Sequence, residues 1–432
     1  MTQVSGTSQQ AVPNGSYTVT STAAQTVVIT LPTNESLQAG DKVTVTGQSG
    51  AQWRLAQNAR QWVVTTNLPG NVAPGTQWVA REPDPAAPNQ RWAGTASSAS
   101  GNRIAAIASP GGLYLSADGG ATWSRSSAPT ANWSQVVMST DGARLAAVAD
   151  GTLYVSSDYG QNWTARTGTP YITAVHMADN GQRILAVGGG GLHISANNGA
   201  SFTPVPGLTA AGWRFVAGSS TGAHLVAVAS RWSGDAPGVY VSNDSGATWT
   251  QRVTTVEGTD ANDWTFAAVS ADGMRMVAAD NSGYLWVSDD RGATFSRRLG
   301  YSPWSGLAIS RDGQVIAAQE PRRVGEHPHP GYIFVSRDRG ASFPSWYGGD
   351  GNPLNLFWQG VSLSYDGNWI TAVDNGAPGA GGGKVYTTSG NRTSGGTLGS
   401  ITGGQNQMVE VTYQGNGRFT VTGQAGGPFS IR

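Results

Sequence analysis

Ser116-Ala117-Asp118-Gly119-Gly120-Ala121-Thr122-Trp123 decides how this chain is read, because the pattern recurs five more times. Asp158, Asn197, Asp244, Asp290 and Asp338 stand where Asp118 stands, each with a Ser two residues earlier and a Gly two residues later. Trp163, Phe202, Trp249, Phe295 and Phe343 close the copies as Trp123 closes the first. An Asp or Asn at the head of a tight turn accepts backbone N–H bonds, and the Gly after it can take a positive φ. Ser and Thr hydroxyls bond locally, and the terminal aromatic anchors the hairpin in a core. Each box therefore reads as a hairpin staple, which gives the six carboxylate or amide positions a structural role. Recurrence at roughly 40 to 48 residues is the period of a solenoid or propeller.

A second signature runs in step with the first. An aromatic stands nine or ten residues before a turn Gly at Trp92, Trp133, Tyr171, Trp213, Trp264, Trp304 and Trp358. After each Gly comes a strand of small apolar residues, such as Arg144-Leu145-Ala146-Ala147-Val148, suited to the crowded inner strands of a propeller. Seven such hairpins with six boxes leave one blade without a staple. Gly75-Thr76-Gln77-Trp78-Val79-Ala80-Arg81 copies the end of a box without its Asp. It is expected to complete the last blade beside Lys384–Ser389, since a ring must close by hydrogen bonds.

The repeats resemble the Asp-box, or BNR, repeat of sialidase-like propellers, over about residues 75 to 390. The resemblance implies a seven-bladed β-propeller and a family of varied roles: glycosidases, sorting receptors, photosystem assembly factors and plain binding proteins. A sialidase would need three arginines around a carboxylate, a Tyr-Glu nucleophile pair and an acid Asp. Only Arg103-Ile104-Ala105 echoes the start of its first blade, without the Pro.

The flanks alternate like half-buried strands. Ser16–Thr20, Thr26–Leu31, Lys42–Thr46, Trp53–Ala56 and Gln61–Val64 precede the repeats; Met408–Tyr413 and Arg418–Thr422 follow them. The C-terminal tail is too short for a core of its own. Residues 1–72 and 395–432 are therefore expected to join as one β-sandwich-like cap, with a propeller over 73–394 inserted between the halves.

Composition narrows the partners. The 432 residues carry no net charge and only 12% charged side chains, so no basic field is available for nucleic acid or an anionic membrane. No cysteine is present, and no apolar run is long enough to insert in a bilayer. The N-terminus shows no signal peptide. Sixty-one Gly, abundant Ser and Thr, and two lysines among 26 basic residues suggest an extracellular or virion surface.

Boxes and first-to-second turns share one end of a propeller, so a ligand is expected at the other. There the loops are minimal in blades one to three and long in blades four to seven. This sector holds the candidate ligand-binding residues Arg231, Trp232, Asp235, Asp260, Asp263, Arg322, Arg323, Trp346, Tyr347 and Asp350. Trp and Tyr beside Asp and Arg suit stacking on a sugar and bonding its hydroxyls. Glu326-His327-Pro328-His329-Pro330 lacks further ligands nearby, so no metal is expected, and no cofactor motif occurs. The reading is a non-catalytic binding protein for a glycan or other surface ligand, able to enter a larger complex through its cap. A two-carboxylate glycoside hydrolase and a structural subunit of an extracellular polymer stay open as alternatives.

Overall fold

The computed structural model describes the whole chain except residues 21–24, 49, 59–60, 66, 69–77, 168–169, 209–211, 231–236, 254–262, 281–282, 301–302, 321–330, 344, 347–355, 377–381, 390–392, 394–396, 398, 416 and 432. The chain divides into two compact units, Gly75–Thr388 and the pair Met1–Pro74 with Ser389–Arg432.

The larger unit is a seven-bladed propeller of four-stranded antiparallel sheets. In blade 1 the strands are Trp92–Ser97, Ile104–Ala108, Leu113–Ser116 and Ser124–Arg125, and blades 2 to 6 repeat this order. Blade 7 takes its first three strands from Trp358–Leu363, Trp369–Asp374 and Val385–Ser389, and its fourth from Val79–Arg81. Val385, Tyr386 and Thr387 pair with Arg81, Ala80 and Val79, so the ring closes with an upstream strand.

Blade packing follows from the sequence. Second strands such as Ile104–Ala108, Leu145–Ala149 and Leu225–Ala229 are buried at every position, and their small residues let neighbouring sheets approach. At the head of the first strand, Trp92, Trp133, Trp213, Trp264, Trp304 and Trp358 are buried. Each packs on an aromatic of its own third strand, at 5.0 Å between centroids for Trp213 and Tyr240 and 5.1 Å for Trp133 and Tyr154. Burying roughly 200 Å² per Trp contributes about 5 kcal/mol of gross transfer free energy. Blade 3 departs from the expectation for Tyr171. Ile172 (1% exposed) fills the core position and pairs with Gly188, while Tyr171 is 63% exposed.

In the smaller unit, strands alternate between two sheets as the chain advances. β1 (Thr2–Val4), β3 (Gly15–Val19) and β5 (Lys42–Gly47) run parallel in one sheet; β2 (Ser8–Gln10), β4 (Val27–Thr30) and β6 (Trp53–Ala56) run parallel in the other. Each successive pair is one rung of a two-sheet stack. The C-terminal strands continue it: Ser400–Gly403 pairs antiparallel with β6, Met408–Gly415 antiparallel with β5, and Arg418–Ala425 parallel with β7 (Trp62–Val64). Val19, Ile29, Val43, Trp53, Leu55, Val409 and Phe419 fill the space between the sheets. The sandwich is thus built from both termini, and its N-terminal half is a parallel rung stack that begins with two strands the sequence pattern did not mark.

Candidate functional site

The boxes define one end of the propeller. Ser116 Oγ donates to Asp118 Oδ1 (2.8 Å) and accepts from Gly120 N (2.8 Å). Asp118 Oδ1 then accepts from Thr122 N (2.8 Å) and Oδ2 from Thr122 Oγ1 (2.6 Å). The turn needs two left-handed residues in succession: φ is 64° at Tyr159 and 81° at Gly160, and the same pair recurs in the other boxes. In Asp158 the backbone N–H of Asn162 leads in holding the carboxyl down to about 2; in Asp244, Asp290 and Asp338 the hydroxyls of Thr248, Thr294 and Ser342 lead to the same value. Every box oxygen is engaged within its own turn, which is the structural role expected of these residues.

The first-to-second turns lie at this same end and join into a ring. Ala99 N donates to Thr140 O (2.9 Å), Thr140 to Asp179 (3.3 Å), Asp179 to Ser220 (2.9 Å), Ser220 to Ala271 (3.0 Å) and Ala271 to Arg311 (2.8 Å). Asp312 N to Tyr365 O (3.3 Å) and Tyr365 N to Ala99 O (2.8 Å) complete the circuit.

Inside the ring runs a central cavity of about 300 Å³, lined by the first strands of all seven blades. Arg311 crosses it at the box end. Its guanidinium pairs with Asp179 of blade 3 and donates from Nη2 to Thr140 Oγ1 of blade 2 (3.1 Å). Burial lowers this arginine to about 10, so it stays charged at neutral pH. His176, also on the wall, is driven down to about 3 by burial and then by the Arg311 charge, and stands neutral.

That opposite end is uneven. The loops between second and third strands are short through blade 3, as at Gly188–Gly191, and again at 281–284 of blade 5, but long in blades 4, 6 and 7, over residues 230–237, 321–331 and 375–384. The last residue of the second strand is Ala108, Ala149, Gly188 and Ala229 in blades 1 to 4, but Asp280, Glu320 and Asp374 in blades 5 to 7, all buried. Asp280 accepts from Tyr284 N (3.0 Å) and Trp286 Nε1 (2.9 Å). Asp374 Oδ1 accepts from Phe357 N (2.7 Å) and Gly376 N (3.2 Å), while burial raises its pKa. Asp280 thus fixes the short turn 281–284, and Asp374 ties down the bases of two long loops. Laying this one position over itself from blade to blade reveals these carboxylates in the sequence, whereas a search for exposed loop residues passes over them.

Of the sequence candidates, Arg231, Trp232, Asp235, Asp260, Arg322, Arg323, Tyr347 and Asp350 lie outside the described residues, as do Glu326, His327 and His329. Trp346 belongs by its backbone to the fourth strand of blade 6, paired with Ile333, so the insertion begins after it. Asp263 is half-buried at the head of blade 5, and its Oδ1 has no partner among the described residues. Arg103, the echo of the sialidase motif, is at the box end, 3.9 Å above the Tyr159 ring. Among the described residues no three His, Asp or Glu side chains converge as metal ligands, and no helix is long and apolar enough to cross a membrane.

Seven closed blades, six of them with stapled outer hairpins, define the class: a seven-bladed β-propeller. Residues 153–165, around the Asp158 box, match the BNR-Asp box repeat family model. Among solved structures it is similar to YCF48 bound to D1 peptide (14% identity, TM-score 0.51, 72% of this chain and 96% of that one). It is similar also to YCF48 from Cyanidioschyzon merolae (13% identity, TM-score 0.51, 72% and 98%). No curated protein matches the chain in sequence.

Proposed function

We propose that the protein is a non-catalytic binding module whose ligand seats over blades 4 to 7 at the end opposite the boxes. One observation carries this reading: the long second-to-third loops are those of blades 4, 6 and 7, and the buried strand-end carboxylates are those of blades 5 to 7. A rigid scaffold with long polar loops at one end is where recognition concentrates. Asp280 accepts with both carboxylate oxygens, and Asp374 with Oδ1, from backbone and indole N–H groups at the loop bases, a structural use of these two acids. A glycan suits the Trp, Tyr, Arg and Asp content of the loops, and the surface composition fits an extracellular or virion setting. A second reading, an extended peptide, draws support from the D1 peptide that YCF48 binds on a propeller of the same fold.

Parallel glycan and peptide arrays probed with the full chain test this and separate the two ligand classes. Trp232→Ala with Arg322→Ala and Arg323→Ala is expected to lower array signal at least about tenfold, on the scale of removing a hot-spot cluster. Tyr171→Ala, exposed at the same end in blade 3, is expected to leave the signal unchanged. The opposite pattern would move the site away from blades 4 to 7.

A further inference from the structure

The first rung of the smaller unit leaves two sheets open at once. β1 pairs only with β3, and β2 only with β4; among the described residues nothing pairs with their other edges. Val4 O accepts from Thr20 N, and Thr7 O accepts from Val28 N. By the alternation of a parallel strand, the backbone groups of Gln3, Ser8 and Gln10 then face outward.

An open edge is a template for another strand, and proteins that remain single blunt it with lysine, proline, inward charge or very short strands. β1 and β2 are three residues each and carry no lysine, proline or charged side chain. No Asp, Glu, Lys or Arg precedes Glu35. Met1 and Val12, which flank the rung, are 85% and 59% exposed, while Val4 and Ala11 beside them enter the core. The far ends of the same sheets are treated differently. Val63 of β7 exchanges bonds with Thr393 in both directions (2.9 Å each), and the other sheet finishes in the two-residue strand Ser430–Ile431, two residues after Pro428.

We propose that the β1/β2 edge is a self-association surface and that its occupant is a second copy of this chain, rung meeting rung about a two-fold axis. A lone foreign strand would satisfy one sheet and leave the other open. A rung of the same two-sheet design satisfies both, and this chain carries one. Because the far edge of the first sheet is bonded to Thr393 and that of the second offers only the two-residue strand Ser430–Ile431, the contact is isologous and closes as a dimer instead of growing into a filament. Strand direction reverses across the axis, so the new pairing is antiparallel. The edges are short, which makes the contact small and the dimer dissociable in the micromolar range. This inference is independent of the ligand reading above.

Sedimentation equilibrium of the full chain tests it. The wild-type protein is expected at twice the chain mass at high micromolar concentration, shifting to the single-chain mass on dilution. Gln3→Lys with Ser8→Lys sets like charges against each other across the axis and is expected to give single chains at the same concentration, with an unchanged unfolding midpoint. Gln3→Glu with Ser8→Glu is expected to do the same, and an equimolar mixture of the two variants to recover the double mass, which a misfolded variant would not do. A wild-type protein of single-chain mass throughout overturns the proposal, as does dimerisation of either variant alone at wild-type strength. Capture of an unrelated strand-forming peptide by a protein that stays single would assign the edge to another partner and overturn it too.

Discussion

The two ends of the propeller are drawn from the same strands and obey different rules. At the box end six blades contribute the same turn with the same pair of left-handed residues, and the first-to-second turns of all seven bond to their neighbours in a circuit. At the other end loop length, terminal residue and anchoring carboxylate change from blade to blade. A ring that must close tolerates little variation where its turns touch one another. Where the loops only leave and return, the chain is free to vary, and it is there that we place the proposed recognition.

The largest test of that division is Arg311→Met. It strands the Asp179 carboxylate, whose side chain is 26% exposed against 23% for Arg311, so some water still reaches both. The expected loss is about 2–3 kcal/mol in urea unfolding, below the full cost of orphaning a buried charge. Adding Asp179→Leu is expected to restore most of it. If the single substitution costs nothing, the box end is not where the ring is held.

Next comes Gly292→Ala in the blade 5 box. The residue sits at φ 76°, and an added Cβ would lie 2.7 Å from Val241 Cγ2. About 1–2 kcal/mol of destabilisation is expected by thermal melting.

Asp158→Asn is the smallest and sharpens the comparison through pH. A carboxyl held at about 2 in the fold and near 3.8 when unfolded adds stability above the unfolded value, and that stability drains away as pH falls from about 4 to about 2. The wild-type melting temperature should fall across that window, and the Asn variant should fall less. Asn197 shows that the amide fits: its Oδ1 accepts from Ser201 N (3.0 Å) and its Nδ2 donates to Ser201 Oγ (2.9 Å). Equal slopes for both proteins would mean that the boxes do not govern acid sensitivity.

The repeats made the ring legible because each blade states its turn chemistry and core aromatics separately, and even the missing box of blade 7 pointed to Val79–Arg81. What escaped was set by packing between distant residues. Arg311 and Asp179 belong to blades that are not neighbours, and nothing local couples them. Tyr171 and Ile172 are adjacent and both apolar, so only the β-bulge after Ile172 tells which one faces the core. β1 and β2 are three residues each, rich in Gln, Ser and Thr, with no alternation to mark them. At the site, the sequence identified the loop-bearing sector and missed Asp280, Glu320 and Asp374, because buried acids at a strand end resemble loop residues until the blades are laid over one another.

The strand that seals blade 7 has a consequence for how the protein is made. Arg81 and its bonding partner Thr387 are 306 residues apart, so the segment leaves the ribosome early and waits through nearly the whole of translation for its place. Six blades can assemble in order while a nascent ring stands ajar. A chain interrupted before residue 385 would keep that gap for good, and a circular permutant that moves residues 75–81 behind residue 389 would let the last blade form from neighbours in time as well as in space.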